Sequence, residues 1–251
     1  MNRKFWNWVK NSVPDEFGNT RTLYLDGQIS EETWWGDEVT PEAFRKELFE
    51  DSGDITLWIN SPGGDCFAAA QIYNMLMEYP GKITVKIDGL AASAASVIAM
   101  AGSRVCMSPV AILMIHNPAT VAMGDTEAMK KAIGMLNEVK ESIINAYELK
   151  SGMDRAKISK MMDSETWLNA KKAVELGFAD DILKRSDVPE DMEPPAVSML
   201  YSKEGSRAML YTPITVTNSF VHKLEPKKTS EGRVKKTLAS DLEHRLALLI
   251  H

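Results

Sequence analysis

The chain has 251 residues, 44% of them hydrophobic and 25% charged, with a formal net charge of −6. This is the composition of a soluble globular protein with one real core and some chain to spare, and it argues against a general nucleic-acid surface, which needs a basic patch. The longest small-apolar run, near residues 90–101, is too short to span a membrane and contains two serines.

The first 22 residues are polar and aromatic without clear period and are read as a separate N-terminal segment. They lack the apolar stretch and small-residue cleavage site of a signal peptide, so a cytoplasmic location is expected. Strand character begins at Leu23 and reaches Ile29, interrupted by Asp26-Gly27. A helix is predicted over 41–49, with Thr40 as its cap and Pro41 in its first position. Residues 54–60 (DITLWIN) alternate and then run apolar, as a buried strand does. Ser61-Pro62-Gly63-Gly64-Asp65 turns the chain into a helix over 67–77. A strand follows over 82–87 and is expected to end at Gly89, before a small-residue helix over 92–100. Two short strands are expected over 104–107 and 111–115.

A long helix over 126–150 carries Met129, Ile133, Leu136, Val139, Ile143 and Tyr147 at three- and four-residue steps, and Gly152 ends it. Shorter helices are predicted over 155–162 and 170–176. The alternation of strand, turn and helix implies an α/β fold with crossover connections, with its compact domain over 23–184. Residues 185–251 form an acidic, proline-rich linker, a basic polar stretch and a final stripe of Leu238, Leu242, Leu246 and Leu249, read as a loosely ordered tail that ends either in an amphipathic helix for a partner or in a helix packed on its own core domain. Cys66 and Cys106 are too few for a disulfide framework and too far apart for a metal knuckle, and read as two buried thiols.

Of four histidines, only His116 lies in the compact domain, at the end of an apolar strand where the chain turns outward. It reads either as a structural residue or as a general base. Ser93 follows a strand and opens a helix among small neighbours, where free N–H groups and the helix dipole favour a developing oxyanion. It reads as a nucleophile or as a plain N-cap. Ser96, a turn further in, is expected to face its own helix. The glycines after Pro62 allow the N–H of Gly64 to point into a cleft and pair with that of Ala94 as an oxyanion hole.

Three segments, INSPGG (59–64), GLAAS (89–93) and MIHNP (114–118), resemble signature segments of the Clp protease proteolytic subunit family, in the family's order and near its spacing. The resemblance covers roughly residues 23–183. It implies a ClpP/crotonase-like spiral of strand-strand-helix units with a long handle helix, and a serine endopeptidase with Ser93 as nucleophile, His116 as base and Gly64 and Ala94 as oxyanion donors. The family's third residue, an aspartate, falls on Glu165, two residues before Trp167-Leu168-Asn169-Ala170, with Asp163 as the alternative. No cofactor or metal is implied.

The handle helix implies a ring-shaped homo-oligomer. The stretch 27–48, with Trp34-Trp35-Gly36, looks like the phage and prophage branch, whose members are taken to be head-maturation proteases acting on capsid or scaffold proteins. The N-terminal segment departs from the family's axial loops, which leaves a subunit coupled to an AAA+ ATPase as the alternative. A non-catalytic assembly protein and a crotonase-like acyl-CoA enzyme are the readings from other classes.

Overall fold

The computed structural model describes residues 4–29 and 41–184. All of these lie in one compact unit, Met1–Thr212; the second unit, Pro213–His251, is outside the described residues, as are Thr40, the 30–40 part of the 27–48 stretch and the tail. The elements run β1 (Trp6–Lys10), β2 (Arg21–Asp26), α1 (Pro41–Phe49), β3 (Ile55–Ser61), α2 (Cys66–Glu78), β4 (Ile83–Ala92), α3 (Ala94–Ala99), β5 (Arg104–Met107), β6 (Ile112–Ile115), α4 (Thr126–Ser151), α5 (Arg155–Asp163), β7 (Thr166–Asn169), α6 (Ala170–Glu175) and β8 (Asp181–Ile182). The fold is α/β, as expected.

Parallel pairing of β2, β3 and β4 sets Leu23 beside Leu57 and Val85, and Leu25 beside Ile59 and Ile87. These residues are fully buried in one core with Ile72 and Leu76 of α2 and Ile98 of α3. The alternate side chains form a second, polar face. There Asn19 donates to Thr56 Oγ1 (3.0 Å), the Thr56 hydroxyl donates to Asp15 (2.5 Å), and the buried Lys86 ammonium pairs with Glu16 (2.8 Å). The period-two pattern thus separates an apolar layer from a hydrogen-bonded one.

The sheet runs β1-β2-β3-β4-β5-β8, and β6 branches from β4 and carries β7. The branch corrects the expected strand end at Gly89. Residues 84–87 of β4 pair with β5, and past Asp88-Gly89 the same strand continues as Leu90-Ala91-Ala92, paired with Ile112, Leu113 and Met114 of β6. Glycine here lets the strand change partner instead of stopping. The helix expected from 92 accordingly starts at Ala94.

The expected N-terminal segment, 1–22, contributes an antiparallel strand: β1 pairs with β2, and Phe5 and Trp6 enter the core, Trp6 edge-on to Phe44. The Arg21 guanidinium holds this end together. It donates to the carbonyls of Glu47 (2.5 Å), Leu48 (2.9 Å) and Asp51 (2.9 Å) and to the Tyr79 hydroxyl (3.2 Å), and lies over the Trp8 ring. It thereby satisfies carbonyls at the C-terminal end of α1 that have no helical partner. Cys106 is buried, but Cys66 is only partly so, and burial pushes its thiol up to about 11.

Helix α4 has 26 residues, roughly 39 Å at a helical rise. Asp125 caps its start and Gly152 its end, yet only Ile144, Ala146 and Tyr147 are buried. The Met129, Ile133 and Met135 side chains are exposed.

Candidate active site

Parallel strands deliver their following residues to a common edge, the usual place for a site in an α/β sheet. Ser93 follows the last residue of β4 and His116 the last of β6, and Ala92 sits beside Met114 in the register. The Ser93 amide donates to the Met114 carbonyl (2.9 Å), continuing that pairing into the turn. The side chains meet: Ser93 Oγ and His116 Nε2 are 2.7 Å apart. In the Nδ1–H tautomer the hydroxyl donates to Nε2, the arrangement in which imidazole can take the serine proton.

Ser93 has φ 55° and ψ −124°, and its side chain makes no capping bond to α3. The N-cap alternative therefore does not describe it. A positive φ in a residue with a Cβ is strained and is held only where the surroundings over-determine it. Here the strand pairing below and the hydrogen bonds of the first turn of α3 do so.

Burial holds the His116 imidazole below the ordinary histidine value, and the Glu165 charge opposes this in part. The ring is thus neutral near pH 7 and able to accept a proton. Glu165 arrives on the strand next to β6: antiparallel β7 pairs Thr166 with Ile115, and one further step brings Glu165 level with His116. Its own φ is 46°. No hydrogen bond joins Glu165 to the imidazole among the described residues; its Oε1 accepts from the Trp167 indole (3.1 Å). Asp163 is held elsewhere. It accepts from Lys140 Nζ (2.6 Å) and Asn117 Nδ2 (2.9 Å), and these bonds keep its carboxyl below the usual range.

The glycine turn abuts the serine. A Cβ on Gly63 would stand 2.6 Å from the Ala92 carbonyl, 2.8 Å from Ser93 Cβ and 2.9 Å from the Ala94 nitrogen. One on Gly64 would collide with the Ile29 carbonyl. A parallel bridge between Ile29 and Gly64 fixes the turn, with Ile29 N–H donating to Gly63 O (2.9 Å) and Asp65 N–H to Ile29 O (3.0 Å). Those bonds leave the Gly64 N–H without a protein acceptor among the described residues, and the Ala94 N–H likewise.

The structure therefore brings Ser93, His116, Glu165 and the Gly63-Gly64 turn to one edge, and leaves Asp163 in an ion pair outside it. Sequence reasoning missed Asn117 as the link to Asp163. The Clp protease family profile matches residues 9–186. The chain is 31% identical over 183 residues to the ATP-dependent Clp protease proteolytic subunit 2 of Treponema denticola, covering 72% of this chain and 90% of that protein. It is 32% identical over 184 residues to proteolytic subunit 1 of Rhodococcus jostii (70% and 81%), and 29% identical over 170 residues to proteolytic subunit 1 of Chlamydia muridarum (66% and 87%).

Proposed function

The chain belongs to the Clp protease family, and on that premise we propose that it is a serine endopeptidase with Ser93 as nucleophile and His116 as general base. The 2.7 Å contact between Ser93 Oγ and His116 Nε2 carries this reading. As the hydroxyl attacks a peptide carbonyl, Nε2 takes its proton, and the carbonyl oxygen becomes an oxyanion facing the free N–H groups of Gly64 and Ala94. The imidazolium then gives the proton to the leaving amine, and water repeats the cycle on the acyl-enzyme. Glu165 stabilises the imidazolium through its charge. Labelling with a fluorophosphonate, which requires an activated serine, tests this: wild type is labelled, and Ser93→Ala is not. An unlabelled wild-type protein refutes it.

The biological role in this reading is that of a phage or prophage head-maturation protease cutting capsid or scaffold protein as a ring-shaped homo-oligomer. The exposed Met129, Ile133 and Met135 on α4 supply apolar surface for assembly. A second reading is favoured by the names of the relatives, which are subunits of ATP-dependent proteases: a cytoplasmic subunit fed by an AAA+ ATPase. Co-purification with such an ATPase supports the second, and cleavage of folded capsid precursor without ATP supports the first. No described helix is long and apolar enough to cross a membrane.

A further inference from the structure

The backbone of the serine meets a second line of hydroxyls. Ser96 is fully buried, and its Oγ–H donates to the Ser93 carbonyl at 2.6 Å. The hydroxyl of Tyr147, from α4, lies 2.7 Å from the same Oγ. With the Ser96 proton committed to the carbonyl, the Tyr147 O–H is the donor of that second bond. Tyr147 is 1% exposed, and its ring packs edge-on against Phe178, centroids 5.6 Å apart. The Ser93 carbonyl also accepts from the Ser96 N–H (3.0 Å) and the Val97 N–H (3.4 Å).

A residue at φ 55° needs its flanking peptides fixed. The Ser93 amide is fixed by the Met114 carbonyl, and the Ser93 carbonyl by Ser96. The shortest of the bonds to that carbonyl is the one from a side chain, and that side chain is aimed by Tyr147. A buried hydroxyl pair packs less well than an apolar pair unless both groups are satisfied, and here both are.

We propose that Ser96 and Tyr147 are positioning residues for the nucleophile: the Tyr147–Ser96–Ser93 relay clamps the Ser93 peptide in its positive-φ conformation, and so aims Oγ at His116. The proposal rests on the reading of Ser93 as the nucleophile. It ties the geometry of the serine to the C-terminal half of α4, the part of that helix that enters the core.

Activity and stability separate under this proposal, and a double-variant cycle reads the separation. Ser96→Ala removes the bond to the Ser93 carbonyl and strands the Tyr147 hydroxyl, so both thermal stability and activity fall. Adding Tyr147→Phe removes the stranded group, and stability returns toward wild type. The turnover number does not return: it stays about tenfold or more below wild type, with KM little changed, in Ser96→Ala and in the double variant alike. Tyr147→Phe alone, which leaves the Ser96 bond but loosens its aim, gives a smaller loss, about two- to fivefold. The rate of fluorophosphonate labelling follows the same order.

A double variant that regains wild-type turnover together with its stability makes the pair merely structural and overturns the proposal. So does a Ser96→Ala protein labelled at the wild-type rate. A wild-type protein that is not labelled at all fails at the earlier step, the identity of the nucleophile, and the proposal falls with it.

Discussion

Ser93 and Glu165 are the two non-glycine residues with positive φ among the described residues, at 55° and 46°, and they stand on either side of His116. One follows β4 and the other precedes β7, the two neighbours of the strand that ends at the histidine. Backbone strain of this kind typically costs about 1–3 kcal/mol per residue and persists where function requires a side chain in a particular place. Its coincidence with two of the three proposed catalytic groups, neither chosen for its φ, supports their assignment.

Replacing His116 by Ala is expected to lower peptide hydrolysis by about 1,000-fold or more, comparable to Ser93→Ala, because the two act as a unit. The double variant should then be no slower than either single one. Steady-state kinetics on a fluorogenic peptide checks this, and additive losses argue that the residues act separately.

The pH profile identifies the acid. With His116 as the proposed general base, kcat/KM is full above its folded pKa, which lies below the ordinary histidine value, and falls as the pH drops through it. The Glu165 charge raises that pKa, so Glu165→Gln moves the acid limb to still lower pH. The same change removes charge opposite the imidazolium and lowers the plateau by between about tenfold and a thousandfold. Asp163→Asn, which disturbs only the bonds from Lys140 and Asn117, leaves the limb in place. The reverse pattern assigns the role to Asp163.

Much of this site was legible in the sequence because it is built from chain breaks. Ser61-Pro62-Gly63-Gly64 between a strand and a helix, a serine among alanines and a histidine after an apolar run all mark places where the backbone turns at a sheet edge. Glu165 was legible only by resemblance, since its position depends on the antiparallel register between β6 and β7. Thr166–Asn169 has too few residues to display a period, and it lies directly between two helices. β1 escaped for a different reason. It turns only Trp6 and the half-buried Trp8 toward the core, with Asn7 and Val9 on the outer side, so its apolar alternation stops after two residues at Lys10. The continuation of β4 past Gly89 depends on what lies beside it, which no local pattern records.

Gly63→Ala should abolish labelling of Ser93. The added Cβ meets three backbone or Cβ atoms of the Ala92–Ala94 turn at 2.6–2.9 Å, so the turn must move. Overpacking and the positive φ together are expected to cost about 2–4 kcal/mol of stability. Thermal melting alongside labelling checks both. A labelled Gly63→Ala protein means that the turn and the serine are not in mutual contact in solution.

Arg21→Met probes the fold away from the chemistry. It removes the donor to the carbonyls of Glu47 and Leu48 and leaves that of Asp51 with only the long bond from the Tyr79 hydroxyl (3.4 Å), and should lower unfolding free energy by about 2–4 kcal/mol. The labelling rate at low temperature, where the protein remains folded, should be unchanged. Urea titration measures the first and the probe the second.

The fork in β4 separates two kinds of robustness. Its first half runs between β3 and β5, whereas along Leu90-Ala91-Ala92, where Ser61 of β3 still lies beside Ala91, β6 takes the place of β5 and carries β7. Peeling the branch away leaves the backbone ladder of the main sheet closed, yet parts Ser93 from His116 and Glu165. Local openings of this sort need less free energy than global unfolding. On warming, the enzyme should fall silent while its circular dichroism is still that of the native protein, and on cooling it should recover without having to refold.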